Sequence, residues 1–418
     1  MGDWDSTLFI GPDDEDWRVP VSELESRLNR FAQALRTAEI PGALIQHPID
    51  LYYFAGGRQD GSLFVPAEGL EGDGPVFFVR RSLERAQYEA GGDDAPFEIE
   101  PFPRLRHLAD VLRARGVSAA PGLQHQSLPF SFAKRFASAL SSLGECKDVT
   151  GIVHGLREIK SSWEKEQMAY AAEVQYRMFD AVSRLGGDGV SELELVAAAE
   201  AISRSEGFGG QVQMRRFPLQ CNRAVIVSGR AGGVPSFFDS AVGGVGPHPL
   251  AGMGSGFKKI KPNEPVLVDL VHVHRGYVVD MTRMFSLGSL SKQWHQRLED
   301  MLTVKERVVD VLDRGGLCSE AWEKGQSLAH EMGYEEHLMG KQPNQSKFLG
   351  HSVGLQLDES PVVAAGFDHP LPLGGVMAIE PKLVYEEGSI GSEDTWIREE
   401  DGLRPVTSHG AWPWLTEW

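Results

Sequence analysis

The sequence is poor in cysteine and in long apolar runs, and each shortage excludes a class of protein. Its 418 residues include 3 cysteines, Cys146, Cys221 and Cys318, which lie far apart and lack the spacing of a thiolate metal site. Neither a disulfide framework nor a cysteine-based zinc site is therefore indicated. No apolar stretch approaches the length of a membrane span. We expect a protein of a reducing compartment without a membrane partner.

Positive charge is also scarce. The chain carries 41 lysines and arginines against 59 aspartates and glutamates, for a formal net charge of -18. Such a charge repels nucleic-acid backbones and anionic lipids. The segment Met1 to Ser6 is acidic and lacks the basic-then-apolar order of a secretory signal. We therefore expect a cytoplasmic protein that has no nucleic-acid partner.

The length of the chain indicates two domains, because single domains rarely exceed about 250–300 residues. Between residues 22 and 150 helical and strand-like segments alternate without a cluster of catalytic residues or a phosphate loop. Ser161-Ser162-Trp163-Glu164 then forms a capping box at the start of a long helix. The sequence predicts an amino-terminal α/β domain over residues 1–155 and a second domain over 156–418.

The second domain changes character after Arg216. Short extended runs separated by glycine and proline follow, and this pattern is typical of a curved, mainly antiparallel sheet. The preceding helices are expected to cover that sheet. The predicted fold class is mixed α/β, of the α+β type, in which helices cover a mainly antiparallel sheet.

Two pairs of acidic residues stand out because each lies in an apolar, strand-like segment. Hairpins centred between the partners would place Asp269 opposite Asp280, and Glu380 opposite Glu393, each pair on one face. Like charges that face each other in a buried sheet need a compensating cation. The alternative is that all four are ordinary solvated carboxylates, but their apolar neighbours favour burial. We therefore predict a dinuclear metal centre.

His351 adds an imidazole to this set of carboxylates. Four carboxylates and one histidine suit manganese, iron, cobalt or magnesium better than a structural zinc. Two metal ions can hold a bridging hydroxide near neutral pH and polarise a carbonyl, as amide hydrolysis requires. We expect two divalent ions, with manganese favoured and iron, cobalt or zinc as the other choices.

These residues lie in motifs that resemble those of a known family, the pita-bread metallopeptidases, which include methionine aminopeptidase, Xaa-Pro aminopeptidase, prolidase and creatinase. The motifs are Asp269-Leu270, Gly276-Tyr277-Val278-Val279-Asp280-Met281-Thr282-Arg283, Gly350-His351-Ser352-Val353-Gly354-Leu355, Ile379-Glu380-Pro381 and Glu393-Asp394-Thr395. The resemblance covers nearly the whole chain, because the amino-terminal half resembles a creatinase/prolidase domain. Residues 157–161 resemble its junction with the catalytic domain.

The resemblance implies a pita-bread catalytic domain, a homodimer and a role for each ligand. It implies that Asp269 chelates one metal, that Asp280 and Glu393 bridge both, and that His351 and Glu380 complete the second. Glu380 would also be the general base that takes a proton from a metal-bound water.

Three departures from the family pattern concern the substrate. Asp358 stands where the family has a second histidine, seven residues after His351, and an acid cannot donate as an imidazolium does. Gly391 stands where many proline-specific members have an arginine. The segment Val234-Pro235-Ser236 resembles the context of the substrate histidine expected upstream of Asp269 but carries serine. His248 lies nearer in sequence and is the candidate, although a histidine between prolines is more often exposed and inert. We treat His248 and Asp358 as candidate catalytic residues, and the departures leave both retained and altered proline specificity open.

Three further residues have a weaker signal. His272 and His274 have strand parity opposite to Asp269 and should point to the other face. Lys382 has the parity of Glu380 and could hold an anionic substrate group, but a surface lysine is the favoured interpretation.

Three functions are compatible with these residues. The first is a cytosolic exopeptidase or dipeptidase of the Xaa-Pro type that cleaves short peptides. The second is a creatinase-like hydrolase or lyase that acts on a small polar molecule, which the departures at Asp358 and Gly391 motivate. The third is a catalytically inactive binding module, against which the complete ligand set argues.

Overall fold

A computed structural model describes residues 11–12, 15–216, 221, 224–407 and 412–418, and the statements below concern these residues. The segment Met1 to Ser6, on which the expectation about a leader rests, lies outside them. No helix of the described chain is long and apolar enough to span a membrane. The chain forms two compact units, Met1–Arg157 and Glu158–Trp418. The predicted boundary at residues 155/156 lies two residues before this division.

The first unit is built on a five-stranded sheet of order β4-β3-β2-β1-β5. Helix α1 buries one face, with Leu24, Leu28, Phe31 and Leu35 recurring every three or four residues. The elements are α1 Val21–Thr37, β1 Gly42–Ile45, α2 Pro48–Ala55, β2 Gly61–Pro66, β3 Val76–Val79, α3 Leu83–Glu89, β4 Glu98–Pro101, α4 Leu108–Ala114, β5 Gly122–Leu123, α5 Phe130–Leu140 and α6 Thr150–Glu158.

The second unit contains the remaining helices and three sheets, of orders β10-β9-β11-β14-β15, β12-β13 and β16-β8-β7-β6. All their strand pairs are antiparallel except that of β16 with β8. The elements are α7 Ser162–Leu185, α8 Glu192–Ser205, β6 Ala224–Ser228, β7 Val266–His274, β8 Tyr277–Ser286, α9 Lys292–Asp313, α10 Cys318–Glu331, β9 Gly350–Ser352, β10 Glu359–Val363, β11 Val376–Ile379, β12 Lys382–Tyr385, β13 Gly388–Gly391, β14 Asp394–Glu399, β15 Gly402–Pro405 and β16 Leu415–Glu417.

Helix α7 begins at the predicted capping box. The Ser161 hydroxyl accepts from the Glu164 amide at 3.1 Å, and the Glu164 carboxylate accepts from the Ser161 amide at 2.7 Å. Both contacts satisfy amide donors that the first turn of a helix leaves without an intrahelical partner. The capping-box prediction is confirmed.

Alternation along β7 assigns its two faces to different cores. Val266, Val268 and Leu270 pack with apolar residues of α7 and α8. Leu267 has the opposite parity and packs in the core that includes residues of α9 and α10. Asp269 has the parity of Leu267. The side chain of Asp269 therefore points away from α7 and α8, and this face carries the candidate site.

Candidate metal centre

A two-residue turn fixes the first acidic pair. Arg275 and Gly276 join β7 to β8 with φ of 48° and 93°, the positive values that tight hairpin turns require. The resulting register pairs Asp269 with Thr282 and Val271 with Asp280. The prediction that Asp269 and Asp280 stand directly opposite each other is therefore wrong. They share a face as diagonal neighbours, two residues out of register, because the turn lies one residue further along the chain than predicted.

The second pair lies where two ladders meet. Strands β11 and β14 pair Ile379 with Asp394, and β12 and β13 pair Lys382 with Gly391. The second ladder continues the register of the first across a gap of two residues on each strand. Glu380 and Glu393 therefore lie opposite each other in this gap, as predicted. Pro381, which lacks an amide donor, helps to explain the gap.

The second pair reaches the first through β8. Thr282 and Glu393 exchange two backbone hydrogen bonds of 3.3 Å, and the Thr282 hydroxyl donates to the Glu393 carboxylate at 2.9 Å. The Glu393 backbone carbonyl also accepts from Arg283 at 2.9 Å. Arg283 in turn donates to Asp394 at 2.7 Å. Thr282 and Arg283 lie within the quoted motif, but their positioning role was not predicted.

All five predicted ligands line one cavity of about 210 Å³. Within it, Asp280, His351 and Glu393 can each offer one ligand atom, and these atoms lie within 4.8 Å of one another. Asp280 Oδ1 and Glu393 Oε1 are buried without a hydrogen-bond partner among the described residues. Because a buried carboxylate oxygen needs a compensating partner, these atoms fit a divalent cation held by the three residues.

The charges in this cluster perturb one another strongly. Burial, followed by the neighbouring charges of Glu393 and Asp269, holds the pKa of Asp280 well above its ordinary value. Burial and then Glu380 raise the pKa of Glu393. For Glu380, burial acts in the same upward direction, but Lys382 and His351 outweigh it and lower the pKa. Opposite charges thus outweigh burial at Glu380, whereas burial and like charges outweigh them at Asp280 and Glu393.

Lys382 is the main residue of this site that the sequence interpretation missed. Its ammonium Nζ lies 2.7 Å from Glu380 Oε2, 2.7 Å from Glu393 Oε2 and 3.0 Å from Asp269 Oδ2. Its side chain is 2% exposed, so the favoured interpretation as a surface lysine is wrong. Burial opposes its charge, but the three carboxylates outweigh this and raise its pKa well above the ordinary value.

The structure places the candidate catalytic residues Asp358 and His248 differently. Asp358 lines the cavity, where its carboxylate accepts from the backbone amides of Arg215 at 2.5 Å and Arg216 at 2.9 Å. His248 is not among the lining residues; its backbone forms a bridge with Ala251 in a turn. Asp358 thus lines the cavity and binds the backbone of Arg215 and Arg216. His248 does not line the cavity.

The two histidines of β7 lie on the opposite face, as their parity predicts. His272 Nδ1 is 2.8 Å from the hydroxyl of Ser203 on α8. The ring of His274 lies 4.2 Å from that of Tyr170 on α7. Neither is a ligand candidate for the cavity.

Comparison with known proteins covers both units. The profile of Metallopeptidase family M24 matches residues 166–400, and that of the Creatinase/Prolidase N-terminal domain matches residues 27–159. The Xaa-Pro dipeptidase of Pyrococcus furiosus is 23% identical over 385 residues, which are 92% of this chain and 98% of that protein.

Solved structures show the same fold. The X-Pro aminopeptidase of Thermotoga maritima superposes with a TM-score of 0.74 at 21% identity, over 92% of this chain and 100% of that one. The dipeptidase PepE of Mycobacterium ulcerans gives a TM-score of 0.77 at 21% identity, over 96% and 100%. The predicted pita-bread fold with a creatinase/prolidase-like amino-terminal domain is confirmed.

Proposed function

Because this chain belongs to metallopeptidase family M24, whose profile matches more than half of it, we propose that it hydrolyses short peptides of the Xaa-Pro type, as a dipeptidase or aminopeptidase. The observation that carries the proposal is the gathering of Asp269, Asp280, His351, Glu380 and Glu393 at one cavity. Relatives named Xaa-Pro dipeptidase, which span almost the whole chain, favour a peptide substrate over a small polar molecule.

We further propose that Asp280, His351 and Glu393 hold a divalent metal ion, with manganese as the first choice. Oxygen donors with a single imidazole favour manganese, iron or cobalt over a soft-ligand metal site. When bound, such an ion would activate a water molecule and polarise the scissile carbonyl.

Glu380 is the proposed general base. Its Oε1 lies 3.3 Å from His351 Nε2, and its Oε2 lies 2.7 Å from the ammonium of Lys382. The ammonium of Lys382 holds the carboxylate ionised, so it can accept a proton at the cavity wall. Lys382 therefore keeps Glu380 ionised and fixes its orientation.

The cavity wall supplies features that suit a short peptide with a free carboxyl end. Phe238 and Phe348 present apolar rings to the cavity, which suit a proline side chain. Arg215 and Arg216 are cationic lining residues. Arg216 is paired with Asp239 at 3.5 Å, so we assign the substrate carboxylate to Arg215.

The wider setting is also a proposal. The net charge of -18 supports the absence of a nucleic-acid partner. A cytoplasmic location and a homodimer rest on the cysteine usage and on the family resemblance. Size-exclusion chromatography with light scattering tests the homodimer directly.

The decisive experiment is a hydrolysis assay. Manganese-loaded protein is incubated with a panel of Xaa-Pro dipeptides, Xaa-Pro tripeptides and the same peptides without proline. We expect cleavage that Asp280→Ala abolishes and that Asp368→Ala, a change at an exposed aspartate of the same unit, preserves. Absence of cleavage of every peptide by the metal-loaded protein would refute the proposed function.

A further inference from the structure

The ammonium of Lys382 has the contacts of a bound cation. It lies within 3.0 Å of carboxylates from three separate segments, those of Asp269, Glu380 and Glu393. All three were predicted from the sequence as metal ligands. An ion that used the same oxygen atoms would have to occupy the space of the lysine nitrogen.

The lysine is buried and does not line the cavity. Asp269, Glu380 and Glu393, by contrast, line it. The ammonium therefore compensates the charge of these three carboxylates without lining the cavity, and the cavity remains accessible to an ion. Burying several carboxylates without a cation is costly, so a covalently attached positive charge stabilises this arrangement whether or not metal is present.

The remaining donors suffice for one ion. The three-residue group whose ligand atoms converge is Asp280, His351 and Glu393, and it includes neither Asp269 nor Glu380. Asp280 Oδ1 and Glu393 Oε1 are the buried oxygens of this group without a hydrogen-bond partner in the described part of the chain. The unpaired oxygens of Asp280 and Glu393 therefore still need one cation on the cavity side. Lys382 already compensates the oxygens of Asp269, Glu380 and Glu393 that it contacts.

The backbone around Lys382 is shaped for its side chain. Lys382 pairs with Gly391 across the β12–β13 hairpin, and its carbonyl accepts from the Met339 amide at 2.8 Å. A Cβ atom at Gly391 would lie 2.8 Å from Lys382 Cγ. The glycine thus leaves room for the lysine stem as well as for the Pro381–Lys382 backbone.

We propose that Lys382 replaces one of the two metal ions predicted from the sequence, so that each chain binds a single divalent ion through Asp280, His351 and Glu393. This inference rests on the metal site of the proposed function. In it, Asp269 and Glu380 are positioned by the ammonium group and are not ligands of a second ion.

The test counts metal ions. Protein freed of metal is dialysed to equilibrium against excess Mn²⁺, and the bound metal is measured by elemental analysis and by isothermal titration calorimetry. We expect one ion per chain for the wild type and two for Lys382→Ala, in which the carboxylates lose the ammonium. Lys324→Ala, at an exposed lysine of α10, is the matched control and should bind one ion.

Each outcome decides the proposal. Two ions in the wild type, or one ion in a folded Lys382→Ala variant, would overturn it. If Lys382→Ala does not fold, electron paramagnetic resonance of the manganese-loaded wild type still decides, because a lone Mn²⁺ gives a six-line spectrum that a spin-coupled pair does not. One ion without peptide cleavage would retain this inference and remove the proposed function, whereas two ions with cleavage would do the reverse. No bound ion would overturn both.

Discussion

Gly391 and Lys382 face each other across a hairpin, and they lie so close that residue 391 has no room for a side chain. A Cβ atom there would lie 2.5 Å from the Pro381 carbonyl oxygen and 2.7 Å from Lys382 Cα, closer than real Cβ atoms approach. Most of this obstruction is backbone, which cannot rotate away. The backbone at residues 381 and 382 therefore excludes an arginine at residue 391, and the lysine stem adds to the obstruction.

This relationship predicts the effect of Gly391→Ala. The added methyl group must displace the Pro381–Lys382 backbone, so we expect a loss of about 1–3 kcal/mol in the free energy of unfolding, as for other overpacked positions. Peptidase activity should fall as well, because Glu380 lies next to the displaced segment. Urea unfolding and kcat measure the two effects. Gly209→Ala, where nothing lies within 4 Å of the added atom, is the control. Unchanged stability and activity in Gly391→Ala would contradict the steric argument.

Loss of the Lys382 charge should make stability depend on metal. In Lys382→Ala three carboxylates remain buried near one another without their ammonium, and breaking a buried ion pair in this way costs about 3–5 kcal/mol. We expect metal-free Lys382→Ala to be destabilised by this amount, and saturating Mn²⁺ to restore a large part of it by binding to the folded state.

Urea unfolding with and without Mn²⁺ checks this prediction. Lys324→Ala should behave as the wild type under both conditions. Equal metal-dependent stabilisation of wild type and Lys382→Ala would show that the ammonium does not substitute for a cation.

The parts of this site that were predictable depend on short-range pattern. Acidic residues within apolar runs identify buried strand carboxylates, because strand parity holds over a few residues regardless of the fold. The register of Asp269 and Asp280 could not be fixed in this way. It is set by the turn at Arg275 and Gly276, which carries a weaker signal than Asn-Gly or Asp-Gly and was not recognised as the turn.

The role of Lys382 was not predictable for a different reason. Its parity with Glu380 was a signal that it faces the site, but a lysine is buried only where several opposite charges converge. Asp269 lies 113 residues away in sequence, and it reaches Lys382 through the tertiary arrangement of the sheets. The predicted ligand set places Asp269 and Glu380 in one metal centre, but the sequence pattern does not indicate that a lysine ammonium lies among their carboxylates.

Arg215→Gln tests recognition of the substrate carboxylate. A charge-assisted hydrogen bond to a carboxylate contributes about 1.5–3 kcal/mol, so we expect KM for a free Xaa-Pro dipeptide to rise roughly tenfold to a hundredfold. The KM for the corresponding dipeptide amide, which lacks the carboxylate, should change little. Arg216→Gln is the matched control, because Arg216 is engaged with Asp239. An equal loss for free and amidated dipeptides would assign Arg215 a structural role.

Asp50 and Arg157 form a buried ion pair in the first unit. The effect of this pair on stability at acid pH can be tested independently of the metal centre. Asp50 accepts from Arg157 at 2.8 Å and from Gln124 at 2.7 Å. Burial alone would raise its pKa, but the charges of Arg157 and His47 outweigh this and hold the pKa well below its ordinary value.

The folded state therefore binds the Asp50 proton less readily than the unfolded state does. The stabilising contribution of Asp50 is present above the unfolded carboxyl pKa of about 4 and declines as the pH falls below it. We expect Asp50→Asn to lower the free energy of unfolding at pH 7 and to weaken its decline at acid pH, as measured by urea unfolding along a pH series. Asp73→Asn, at an exposed turn, should leave both unchanged. If protonation of Asp50 causes the loss of stability at acid pH, Asp50→Asn must reduce that loss. Equal acid sensitivity in Asp50→Asn and wild type would therefore show that other carboxylates govern the acid transition.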